Sequence, residues 1–161
     1  MNPLNPGLNV AVHQIAGRLL PGGFDVSDTA APDTLESIKA HIAETGRLCV
    51  WSGASDHTIF GDRETNWAFR AWHDWCHYRG DLPFTLDGET DAAHMQVEHL
   101  IALYGRTEQT AEMAALVLAE VIGQARQLDE TGAFPADQVA FDLAKLPLWR
   151  TEARRLVLGA A

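Results

Sequence analysis

The sequence predicts an all-α fold, a single-domain helical bundle with at most one short β-hairpin near residues 47–60. Apolar residues recur at helical spacing along most of the chain, with capping residues before the runs and Gly or Pro after them. Strand-like patterning is confined to one short stretch, and the connections between helical runs are short, as in a bundle.

Taken in order, residues 1–7 contain two Pro and one Gly and are expected to form an irregular arm. Leu8 to Leu20, with apolar positions at Val10, Val12, Ile15, Leu19 and Leu20, reads as a short helix that Pro21-Gly22-Gly23 stops. Asp33 or Thr34 can cap a helix running to about Thr45, with Gly46 as its terminator. Leu48 to Trp51 leans towards strand, and Thr58-Ile59-Phe60 is the candidate partner in a hairpin. An aromatic helix is expected from Asp62 or Arg63 to Gly80, then one from Gly88 to Tyr104 capped by Asp87 and closed by Gly105. Thr107 caps the longest expected helix, reaching about Glu130. Ala136 to Ala144 should form another, broken by Pro147, before a last helix over Leu148 to Leu158.

A chain of 161 residues is long enough for one domain with a substantial core. Its formal net charge of -10 argues against a nucleic-acid or anionic-membrane partner, since either needs a basic face. No apolar run approaches the roughly 20 residues of a membrane span, and the N-terminus lacks the pattern of a signal peptide. Two cysteines, Cys49 and Cys76, are too few for a disulfide framework and fit a reduced, cytoplasmic setting. Acidic bundles of this size often dimerise, so a homodimer is an open expectation.

Residues Asn66 to His77 are the most informative stretch. Trp67, Phe69, Trp72, Trp75 and Cys76 make this helix apolar round most of its circumference, which predicts burial. The polar residues fall on one line: Asn66, Arg70, His73, Asp74 and His77. Buried ionisable groups must be satisfied internally, so this line marks a polar network or a site. His73 and His77 stand one helical turn apart and can clamp a common ion, because neutral imidazole is a good ligand for zinc, iron, nickel or manganese. The bland alternative is a pair of partly buried histidines bonded to neighbours.

The next helix adds Glu89, Ala92, Ala93, Gln96 and His99 along one face. Glu89 is a candidate third ligand or general base, and His99 a candidate ligand or a cap on the core. In the long helix Glu120 and Gln124 lie four apart beside the apolar face. Glu120 is then a ligand, a partner for Arg70 or an edge residue reaching water. Nucleophile-elbow and phosphate-loop motifs are absent. Cys76 is expected to be masked by its aromatic surroundings.

The stretch D-R-E-T-N-W-A-F-R-A-W-H-D-W-C-H-Y and the later L-D-G-E-T-D-A-A-H-M-Q resemble uncharacterised bacterial and phage proteins with an N-x-x-F-R-A-x-H-D-x-x-x-H segment and a G-E-x-x-A helix. Asn66, Phe69, Arg70, Ala71, His73, Asp74, Gly88, Glu89 and Ala92 match as they stand. The second His comes one residue earlier here, at His77, and Gln96 stands where a downstream His is expected. The likeness implies a site without naming a reaction. His73-Asp74 also resembles the metal-binding pair of HD-domain phosphohydrolases, which are all-α. That resemblance implies His41 or His57 as an early ligand and Asp142 as a late one.

These observations lead to a divalent-metal protein, in its enzymatic form a hydrolase of a small, phosphorylated substrate. His73, His77, Asp74, Glu89 and His99 are its metal-ligand candidates, and Arg70, Asp74, Glu89 and Glu120 its catalytic ones. The competing reading is a non-enzymatic interaction or regulatory module, with the polar line as a structural salt-bridge network. A ferritin-like di-iron bundle is disfavoured, because repeated E-x-x-H pairs are missing.

Overall fold

The computed structural model describes residues 2–159 and is all-α apart from one two-stranded sheet. The chain divides into two compact units, the first ending at Phe84 and the second beginning at Thr85. Among the described residues, no helix is long and apolar enough to cross a membrane.

The first unit runs α1 (Pro6–Leu19), β1 (Asp25–Ser27), α2 (Leu35–Thr45), β2 (Cys49–Trp51) and α3 (Arg63–Gly80). Helix α1 begins two residues earlier than the expected arm allows. Asn5 caps it by accepting from the Leu8 amide, and Pro6 occupies the first turn, where a missing N–H costs nothing. Thr34 and Ser37 form a reciprocal capping box on α2, and Gly46 closes it with a left-handed φ of 74°.

The expected hairpin is not formed. β2 pairs with β1 in parallel, Val26 opposite Val50, and Thr58 to Phe60 lies in a turn. A parallel pair needs a crossover, which α2 supplies. Leu8, Val12 and Ile15 of α1 and Ile38 of α2 are buried with Phe60, Phe69 and Trp72, and both helices pack on α3. Phe69 joins the aromatic centre, 4.8 Å from Phe60 and edge-on to Trp72 at 5.9 Å.

The second unit holds α4 (Leu86–Tyr104), α5 (Glu108–Leu118), a π-helical turn (Ala119–Gly123), α6 (Gln124–Thr131) and α7 (Gln138–Leu158). The cap of α4 is Thr85 rather than Asp87, because its hydroxyl accepts from the Gly88 amide and Asp87 already lies inside the first turn. The expected long helix is interrupted by the π turn. The two expected C-terminal helices are one, with Pro147 inside it. Proline forfeits one helical hydrogen bond, but buried Leu146, Trp149, Ala153 and Val157 hold both sides of it to the core. Buried Ala111, Ala114 and Ala115 of α5 and Ala153 of α7 are small enough for the two helices to pack closely. Arg150–Glu112 at 2.9 Å and Arg154–Glu108 at 2.8 Å set their antiparallel register. These exposed pairs contribute register more than stability.

Candidate metal centre

Helix α3 starts at Asp62, which accepts from the Thr65 amide at 2.7 Å. From there the polar line is buried at its two ends, Asn66 and His77, and half-buried between them. Asn66 is 2% exposed and donates to Ser55 Oγ at 2.9 Å. Arg70 is half-buried, and its Nη1 donates to the carbonyls of Trp51 at 2.6 Å and Gly53 at 2.7 Å. The guanidinium also lies 5.9 Å from the Trp51 ring centre. At Gly53 a Cβ would fall closer than 3.0 Å to three atoms of the Trp51 indole, so any larger residue displaces that ring.

His77 is completely buried and His73 half-buried. Their Nε2 atoms stand 3.0 Å apart, and the rings meet edge-to-face with centres 4.5 Å apart. The other nitrogen of His77, Nδ1, is 2.9 Å from the Leu82 carbonyl. A carbonyl only accepts, so Nδ1 carries the proton and the neutral ring directs its Nε2 lone pair at His73. A ring oriented in this way through its second nitrogen is the usual arrangement of a metal-binding histidine. Phe84 stacks on His77, with centres 3.9 Å apart and planes 11° apart.

The turn after α3 produces this arrangement. Asp81 takes a left-handed φ of 55° as the helix cap, and the Leu82 amide returns to the His77 carbonyl at 3.0 Å. Lys39 pairs with Asp81. Leu82 and Phe84 were not singled out from the sequence, where D-L-P-F reads only as a helix breaker.

Asp74 lies half-buried beside His73. Burial first, and then the Asp74 charge, push the Cys76 thiol up to about 12. Cys49 is raised by burial and by the charges of Asp25 and Asp74. Cys76 is therefore an un-ionised thiol at neutral pH, in keeping with the expected masking.

The remaining candidates belong to the second unit, except for the two early histidines of the HD resemblance. Glu89 is half-buried in the first turn of α4. His99 is half-buried on the same helix, and burial lowers its pKa. Glu120 is in the π turn and accepts from Gln124 at 2.9 Å. Gln124 also reaches Asp142, which is wholly buried on α7, at 3.4 Å. Burial raises the Asp142 pKa against the lowering effect of hydrogen bonds from Glu120 and Gln124. The structure thus adds Asp142 to the Glu120–Gln124 pair that sequence spacing suggested, and π turns are frequent at functional positions. Of the two early histidines, His41 lies on α2 and His57 is exposed in the loop before α3.

Comparisons with protein-family models, curated proteins and solved structures find no match.

Proposed function

We propose that the protein binds a divalent metal ion through His73 and His77 and uses it to hydrolyse a small substrate bearing an anionic, phosphate-like group. The observation that carries this reading is the 3.0 Å approach of two imidazole Nε2 atoms, one of them with its lone pair fixed by the Leu82 carbonyl.

A bound ion of this kind lowers the pKa of a coordinated water and so supplies hydroxide near neutral pH. Arg70, anchored by two carbonyls, contributes positive charge for an anionic group. Asp74, half-buried beside His73, is the carboxylate of the same unit available as a further ligand or proton acceptor.

A second reading has its own support. Asn66 is bonded to Ser55, Arg70 to two carbonyls, and His73 can donate an Nε2 proton into the His77 lone pair. A polar line closed in this way fixes helix register in a non-enzymatic interaction module and needs no ion.

Elemental analysis of untagged protein, paired with melting in chelator at pH 7, separates the two. The metal reading expects near-stoichiometric metal in the wild type, its loss in His73→Ala, and a lower melting temperature with chelator. Equal and negligible metal in both proteins, with melting indifferent to chelator, overturns it in favour of the structural network.

A further inference from the structure

An open groove of about 410 Å³ crosses the first unit, lined among others by His13 and Gly17 of α1, Phe24, Val26 of β1, and Glu64 and Trp67 of α3. It uses the opposite side of α3 from the histidine pair, since a helix turns by about 100° per residue and Glu64, Trp67 and Ala68 project away from His73 and His77. Its walls are mainly apolar, with half-buried Phe24 and Trp67 and with Val26 41% exposed. Trp67 is held in place by its indole N–H, which donates to Ser52 O and Ser55 Oγ, both at 3.1 Å.

Two features indicate what the groove takes. The first is its charge. Glu64 is exposed and has no hydrogen bond or ion pair among the described residues. No Lys or Arg lines the groove, and Arg47, near Gly23 at one end, is committed to Asp25 and the Gly22 carbonyl. His13 Nε2 meets Thr65 Oγ1 at 2.9 Å, and that hydroxyl donates to Asp62 Oδ2. The network therefore places the His13 proton on Nε2 and leaves Nδ1 an acceptor. The second feature is Gly17. It stands inside α1, where glycine costs up to about 1 kcal/mol relative to alanine, yet nothing lies within 4 Å of a Cβ built there. Packing does not demand this glycine. Gly17 lines the groove, so a large side chain at this position would occupy it.

We infer that this groove binds a small organic ammonium ion with an aromatic or alkyl body, the ammonium facing Glu64 and His13 Nδ1 and the body lying between Trp67 and Phe24. An apolar cavity of this size with a few convergent polar groups suits a metabolite-sized ligand. Aromatic faces add cation–π attraction to the charge of Glu64.

Titrations with 2-phenylethylammonium and its neutral counterpart 2-phenylethanol, followed by the Trp67 indole and Gly17 amide NMR signals, test this. The ammonium ion should bind about tenfold or more tighter than the alcohol, equivalent to about 1.4 kcal/mol. Glu64→Gln should remove that preference. Gly17→Leu should abolish binding of both. Val26→Lys, on an exposed strand position that leaves the core untouched, should weaken the ammonium ion alone. Equal binding of the two compounds, no binding of either, or shifts that ignore both Gly17→Leu and Val26→Lys would overturn the inference.

Discussion

Gly53→Ala tests how the Arg70 guanidinium is held. Gly53 is not among the positions of positive φ, so alanine meets no backbone obstacle and the perturbation is steric. The added Cβ would overlap three atoms of the Trp51 indole, which must move. Trp51 is 47% exposed, so the indole can swing into solvent while the loop keeps its path. That movement forfeits the exposed cation–π contact with Arg70, about 0.5–1 kcal/mol, and a little packing. The total should be about 1 kcal/mol, or a fall of about 2–4 °C in melting temperature for a chain of this length. Had the loop moved instead, both charge-assisted bonds from Arg70 Nη1 to Trp51 O and Gly53 O would weaken, costing about 1.5–3 kcal/mol each. Urea denaturation of the cycle Gly53→Ala, Trp51→Ala and the double mutant separates the cases. With the indole gone, Gly53→Ala should cost almost nothing. A cost of about 3 kcal/mol that persists without the indole would refute the reasoning.

Ala54, next in the same loop, has a φ of 50°, a left-handed conformation that penalises its Cβ. Ala54→Gly should therefore stabilise the protein by about 0.5–1 kcal/mol in the same assay, after allowing for the greater freedom of glycine in the unfolded chain. The raised pKa of Asp142 makes its ionisation a burden on the folded state. The stability associated with the protonated carboxyl is fully present below the unfolded value of about 3.9 and is lost as pH rises through the folded value. Asp142→Asn should accordingly melt higher than the wild type at pH 7, with the advantage vanishing below about pH 4. An advantage independent of pH would point to packing instead.

Local chemistry was readable in the sequence and long-range chemistry was not. Thr34, Asp62 and Thr107 cap their helices through a bond to an amide three residues on, and Gly46 and Gly132 end theirs by going left-handed. Each depends on a few neighbouring residues. The partner of β2 could not be read the same way, because Asp25–Ser27 carries only one apolar residue and meets β2 across an intervening helix. Pro147 was read as a break because its local cost is real, but the buried residues on either side override it. In the candidate centre the spacing of His73 and His77 predicted their approach. The Leu82 carbonyl and the Phe84 ring follow from the left-handed Asp81, a conformation that no spacing rule supplies.

The π turn sets the rotational phase of everything after it. A wider turn takes up an extra residue, and each residue in an ordinary α-helix advances the side-chain direction by about 100°. If Ala119–Gly123 were wound as ordinary α-helix with no residue removed, α6 would turn on its axis by about that angle while its composition stayed intact. Gln124, which links Glu120 to Asp142, would then swing off that line, so the carboxylate grouping depends on the winding of this segment as much as on its residues.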